Sequence, residues 1–291
     1  MGDKTAIEWT DASWNPVVGC TKVSTGCKFC YAERVSKRMG QEFTKVTLHP
    51  ERLEQPLRWR KPRRIFVNSM SDLFHEAIPD EFIDRVFEVA YYCKQHTFQI
   101  LTKRAERMQQ YMDLAQGRLS PVCPDLPDWP WPLPNVWLGV SCENQEQADK
   151  RIPLLLKTPA AVRFVSLEPL LGPIELRAWF YFVTKAKTTP HEPGGIDWVI
   201  VGGESGGPPE RALVRSLRVP GPISGLGQRK RTMLTKWTAK PEALEWVRSI
   251  RDQCQAAGVA FYFKQWGGPR PKSGGRVLDG RTWDEYPNSG K

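Results

Sequence analysis

Ile65-Phe66-Val67-Asn68-Ser69-Met70-Ser71-Asp72 is a short apolar run that breaks abruptly into polar side chains, and the chain repeats this pattern. The same break follows Phe98–Leu101 (into Thr102-Lys103-Arg104), Val136–Val140 (into Ser141-Cys142-Glu143-Asn144) and Val162–Val165 (into Ser166-Leu167-Glu168-Pro169). It recurs after Trp198–Val201 (into Gly202-Gly203-Glu204-Ser205) and Val259–Phe263 (into Lys264-Gln265-Trp266). A weaker seventh run lies around Trp14 to Val18. Runs this short and this continuously apolar fit parallel strands buried on both faces. Helical periods separate them. Pro79–Cys93 places Phe82, Ile83, Val86, Phe87 and Ala90 on one side, and Pro241–Ala257 carries Leu244, Val247, Ile250 and Cys254 before stopping at Gly258. Alternating strand and helix predicts an α/β fold with a parallel sheet. With six or seven strands and no G-x-G-x-x-G after the first, the expectation is a partial (β/α) barrel, a TIM-barrel variant. Residues 1–291 read as one domain, with irregular excursions near 118–135 and 206–238 and a Gly/Arg-rich tail over 267–291 that packs as a lid or stays mobile.

In such a barrel the chemistry belongs at the C-terminal strand ends, where the polar clusters fall. Asn144 among them also reads as an N-cap for the following helix. Just beyond the weak first run comes Cys20-Thr21-Lys22-Val23-Ser24-Thr25-Gly26-Cys27-Lys28-Phe29-Cys30-Tyr31, a C-x6-C-x2-C spacing. A C-x2-C pair can grip one centre, and three thiolates with no fourth cysteine nearby leave a coordination position open. Cys20, Cys27 and Cys30 are therefore the candidate metal ligands. A zinc knuckle completed by a distant histidine, or three unrelated buried thiols, remains the plainer alternative. None of the four histidines sits in an H-x-E or H-E-x-x-H pattern, and His75 alone falls in a strand-end cluster. Asp72, His75, Glu168 and Glu204 are the candidate catalytic side chains.

The net charge of +10 points to a polyanionic partner; Arg58–Arg64 and Gln228–Lys236 are dense basic segments, and Arg58–Arg64 reads equally as phosphate contacts or as a solvated basic face. Trp266, at a strand end, is placed to stack on a base or on adenine. No stretch approaches the apolar length of a membrane span, and seven cysteines without a secretory pattern read as reduced thiols of an intracellular, cytoplasmic protein.

The cysteine segment, with Phe29 before the third cysteine and Tyr31 after it, resembles the cluster loop of radical S-adenosylmethionine (SAM) enzymes, from which it departs by three extra residues between the first two cysteines. SMSDLFHEAIP, LTKR and GVSCEN resemble strand-end motifs of spore photoproduct lyase and its relatives. With WNPVVGC, EPLLGPI, VGGESG and FKQWGG they resemble a bacteriophage and prophage family of three-cysteine proteins, over roughly Trp9 to Trp283. The resemblance implies a [4Fe-4S] cluster on Cys20, Cys27 and Cys30, with SAM at its open iron and Tyr31, Ser69, Ser71, Lys103 and Ser141 around the cofactor. It implies reductive cleavage of SAM to a 5′-deoxyadenosyl radical, an electron donor of reductase or flavodoxin type, and a nucleic acid or nucleotide substrate in repair or modification. Two other readings stand beside it: a non-catalytic zinc or iron–sulfur protein that binds nucleic acid, and a SAM-dependent transferase without radical chemistry.

Overall fold

The computed structural model of the protein describes residues 5–122, 130–180, 195–220 and 233–287. Seven strands pair side by side in chain order, all parallel: β1 Ala12–Trp14, β2 Arg64–Val67, β3 Thr97–Thr102, β4 Val136–Ser141, β5 Val162–Leu167, β6 Trp198–Gly202 and β7 Ala260–Gln265. Six are the expected runs. The weak seventh also exists but sits earlier than read, because Pro16 cannot donate to a ladder and strand pairing to β2 ends at Trp14. The sheet curls into a half-barrel. Its helices are α1 Tyr31–Arg38, α2 Asp80–Tyr92, α3 Ala105–Val122, α4 Gln145–Lys157, α5 Arg177–Phe180 and α6 Pro241–Ala257. Asn144 caps α4 as expected, its side chain accepting from the Gln147 N–H at 3.0 Å.

Strand alternation sorts the sheet into two cores. Ile65, Val67, Phe98, Ile100, Leu138, Val140, Val199 and Val201 belong to the outer core, which also holds Phe82, Val86 and Phe87 of α2 and Val247 and Ile250 of α6. Their neighbours in sequence point inward, where Phe66, Trp137, Phe164, Trp198, Ile200 and Tyr262 meet Trp9 in a separate aromatic cluster. The axis is filled because Gly139 has no side chain: a Cβ there would lie 2.6 Å from the Phe164 ring. Trp198 sits edge-on to Trp9, Trp137 and Tyr262 at centroid distances of 6.0 Å. Removing each such ring from water contributes roughly 2–3 kcal/mol. The half-barrel is therefore closed by aromatics toward the N-terminal strand ends and open at the other.

One stretch differs from the sequence reading, and another resolves between its two alternatives. Residues 206–238 contain an antiparallel hairpin, Val214–Pro220 against Met233–Ala239, rather than irregular chain throughout. The tail, over its described residues 267–287, packs. Its Trp283 carbonyl accepts from the Phe263 N–H (2.9 Å), and the Glu285 N–H donates to the Phe261 carbonyl (3.2 Å), along the free edge of β7. Tyr286 then stacks on Trp198 and under the Arg64 guanidinium, at 5.2 and 4.1 Å. The region near 118–135 begins as the last turns of α3, and its residues 123–129, Cys123 included, fall outside the described residues.

Candidate functional site

The loop that follows β1 crosses the open end of the half-barrel. The Gly19 N–H donates to Met70 and the Cys20 N–H to Phe43, at 3.1 and 2.8 Å, which fixes the chain entering the cysteine segment. A single 3₁₀ turn, Thr25–Cys27, follows, and Cys30 is the cap residue of α1. Cys20, Cys27 and Cys30 are all free thiols and all line one cleft. Cys93, Cys142 and Cys254 are also free but buried in the fold, where burial pushes the Cys93 thiol up to about 11 and the Cys142 thiol to about 12. Among the described residues no three His, Cys, Asp or Glu side chains crowd around one point as a single ion would require.

The opposite wall of the cleft comes from the ends of β2, β3 and β4: Ser69, Ser71, Asp72, Lys103 and Ser141, with Tyr31 from α1. Lys103 Nζ donates to Ser141 Oγ at 2.8 Å, and the Ser141 hydroxyl donates to the Glu168 carbonyl at 3.1 Å. An ammonium so placed keeps donors for a carboxylate in the cleft. Ser71 donates to the Val17 carbonyl at 3.0 Å and Ser69 to the Asn15 side chain at 3.2 Å. The Tyr31 hydroxyl donates to the Ser69 carbonyl, so this half-exposed ring ties α1 to the end of β2. Asn68, buried and lining the same cleft, accepts from the Val17 N–H while its amide nitrogen has no hydrogen-bond partner among the described residues.

The four candidate catalytic groups are placed unequally. Asp72 lines the cleft, but its oxygens are occupied by the Phe74 and Lys103 N–H groups, the Thr102 hydroxyl and Arg104 at 2.7–3.2 Å. It braces the ends of β2 and β3. His75 stands behind the cysteine loop. Its Nδ1 accepts from the Ala77 N–H (3.1 Å), so Nε2 carries the proton and donates to Thr21 Oγ1 (2.9 Å). Burial and the nearby Arg104 guanidinium lower the pKa of His75, keeping the ring neutral. Glu168, on the other side of Ser141, is paired with Lys264 of β7 at 2.7 and 2.9 Å. Glu204 is bound by the Arg211 guanidinium at 2.7 and 3.2 Å, away from the cleft wall.

Sequence reading missed the side chains that hold the cysteine loop. Arg104 reaches Cys20 Sγ (3.5 Å), the Thr21 carbonyl (3.2 Å), Asp72 (3.2 Å) and Glu76 (3.0 Å) from the end of β3. Burial, and then Asp72, push the Cys20 thiol up to about 11. Glu143 accepts from the Gly26 N–H at 2.8 Å, and Arg211 donates to the Thr25 carbonyl at 3.1 Å while lying over the Phe29 ring. The available signal was position: Arg104 and Glu143 each sit in a polar cluster directly after a strand.

Two expectations fail. Trp266 does not face a ligand; it is buried on Phe263, its indole N–H donating to the Val277 carbonyl at 2.8 Å. Arg58–Arg64 leads into the N-terminal end of β2, the end opposite the cysteines, because Arg64 is held there by Asp11. Of the second basic segment, residues 228–232 lie outside the described residues, and Lys236 is exposed on the hairpin.

The model of the family described as "Protein of unknown function (DUF5131)" matches residues 4–218 and 235–287. The chain belongs to this family. No curated protein sequence matches this DUF5131 member. Among solved structures it is similar to a spore photoproduct lyase mutant at 10% identity and a TM-score of 0.52, covering 91% of this chain and 79% of the lyase. A double mutant of that lyase with bound AdoMet and dinucleoside spore photoproduct aligns at 10% identity and a TM-score of 0.49, over 87% and 76% of the two chains. The first likeness identifies the fold of this DUF5131 chain as the partial barrel that the lyase has. Among its described residues no helix is long and apolar enough to cross a membrane.

Proposed function

We propose that the protein is a radical SAM enzyme in which Cys20, Cys27 and Cys30 hold a [4Fe-4S] cluster. The observation that carries this reading is that the three thiols of one loop share a cleft with Lys103 and Ser141 at the C-terminal strand ends. The donor set fits: a cluster takes each thiolate on its own iron, so three sulfurs need not crowd around one ion, and three leave one iron open. When bound, the cluster supplies the electron that cleaves SAM to methionine and a 5′-deoxyadenosyl radical. In this reading Lys103 binds the SAM carboxylate, Ser69, Ser71 and Ser141 offer hydroxyls to its amine and ribose, and Tyr31 closes the α1 side. The buried aromatic floor keeps water out of the half-barrel below the cleft.

The substrate is, in the same proposal, a nucleic acid or nucleotide, and the electron donor a flavodoxin-type protein or reductase. Exposed Arg215 and Lys236 on the hairpin supply positive charge on the β6-to-α6 connection, which supports an anionic partner, whereas Arg58–Arg64 lies at the other end of the half-barrel and adds nothing to that support. Anaerobic reconstitution with iron and sulfide, followed by dithionite and SAM, tests the chemistry. The expected result is a brown protein with about four irons and four sulfides that releases 5′-deoxyadenosine. A colourless protein carrying zinc, or a cluster that leaves SAM intact, overturns it.

A further inference from the structure

Six residues separate Cys20 from Cys27, and the last two of them, Thr25 and Gly26, are docked on a buried ion pair. Glu143, two residues beyond the end of β4, is fully buried. One of its carboxylate oxygens accepts from the Gly26 N–H at 2.8 Å and from the Thr25 hydroxyl at 3.3 Å. The other pairs with Arg151 of α4 at 3.1 Å, and the same guanidinium nitrogen donates to the Ser141 carbonyl at 2.6 Å. The Glu143 carbonyl accepts from the Leu171 N–H at 2.8 Å, so both its main chain and its side chain are committed. The fit at Gly26 is close: a Cβ there would stand 2.9 Å from the Glu143 carboxyl carbon.

A buried carboxylate accepting backbone N–H groups makes a stronger, more directional anchor than a neutral acceptor. Here the anchor holds the turn that delivers Cys27. The strand end that carries it also carries Ser141, whose hydroxyl receives Lys103 in the cleft. We propose that Glu143, backed by Arg151, is a positioning residue that sets Cys27 and Cys30 in register with the cofactor-binding end of β4. The proposal rests on the cluster reading for its purpose, but the docking exists in the metal-free protein and is measurable there.

Gly26→Ala is the cleaner probe, because it removes neither Glu143 nor Arg151 and sets a methyl group against the carboxylate. In metal-free Gly26→Ala, amide exchange across residues 24–30 should rise about tenfold as the charged hydrogen bond is lost, with peptides of β4 and α4 unchanged. Reconstituted Gly26→Ala should bind iron on the order of tenfold more weakly and show an altered EPR spectrum. Glu143→Gln, which keeps an acceptor of the same size, should retain more of both properties than Gly26→Ala. Wild-type exchange at 24–30 together with a wild-type EPR spectrum in Gly26→Ala overturns the proposal. If the exchange contrast appears but even the wild-type protein takes up no cluster, the anchor stands and the cluster reading fails.

Discussion

The inner face of the half-barrel is built by the same strands throughout, yet its two ends are opposite in kind. Toward the N-terminal ends, Phe66, Trp137, Phe164, Trp198 and Tyr262 pack ring against ring. Toward the C-terminal ends, the same strands continue into Asn68, Lys103, Ser141, Glu168 and Lys264, which hydrogen-bond to one another and to backbone. Cohesion and chemistry are thus separated along the strand direction. The aromatic end holds the strands together chiefly by ring packing, with polar ties such as Asp11 to Arg64 and the Trp198 indole N–H to the Glu285 carbonyl at its rim. The polar end is consequently free to be arranged around a ligand, its charges held by directional bonds rather than by close packing.

Substitutions at the two ends should therefore fail in different ways. The largest contrast is expected among the cysteines. After anaerobic reconstitution, Cys27→Ala should hold no cluster iron, whereas Cys254→Ala, altered in the outer core, should hold as much as wild type; iron analysis decides, and full retention in Cys27→Ala would remove the assignment. At the aromatic end, Trp198→Ala should cost about 3–5 kcal/mol of stability by denaturant unfolding, with the cluster content of the folded protein unchanged. Loss of cluster from folded Trp198→Ala would show that the two ends are not separable. A smaller effect belongs to the cleft wall. Lys103→Ala should weaken SAM binding about tenfold by calorimetry on reconstituted protein while sparing iron content.

The smallest effect lies outside both ends. Asp279, in the tail, is held by Arg248 and Arg251 of α6, whose hydrogen bonds bring its carboxyl down to about 2. A carboxyl lowered on folding stabilises above its unfolded value, near 3.8, and that contribution is lost as pH falls from there toward 2. Asp279→Asn should lower Tm by no more than about 2 °C at pH 7, with the difference from wild type shrinking below pH 4. A difference that widens on acidification would contradict the pairing.

Much of this architecture was legible because strands buried on both faces leave an unmistakable sequence trace, and six of the seven do so. The first strand was misplaced by Pro16, which interrupts the apolar run just past its true end. The hairpin at Val214–Ala239 was hidden because its residues include exposed Arg215, Leu217 and Lys236 rather than a continuous apolar run. The cleft wall was legible for a similar reason, since polar residues abutting a buried strand point to its open end. What sequence could not reveal was which of those residues face the cleft and which turn away to hold the loop. Glu143 and Ser141 are two positions apart and serve different tasks, and only the paths of Arg151 and Gly26 distinguish them. The placement of Arg58–Arg64 was misjudged because charge density records nothing about which end of a strand it precedes.

An open half-barrel, unlike a closed one, leaves bordering strands whose peptide groups can recruit another chain. Along β7 that hazard is met from within, by the backbone of Trp283 and Glu285. The final segment acts as a sacrificial neighbour, occupying a border that would otherwise template self-assembly. Shortening the protein ahead of Trp283 should accordingly leave the fold largely intact yet turn a soluble preparation into one that forms edge-to-edge polymers.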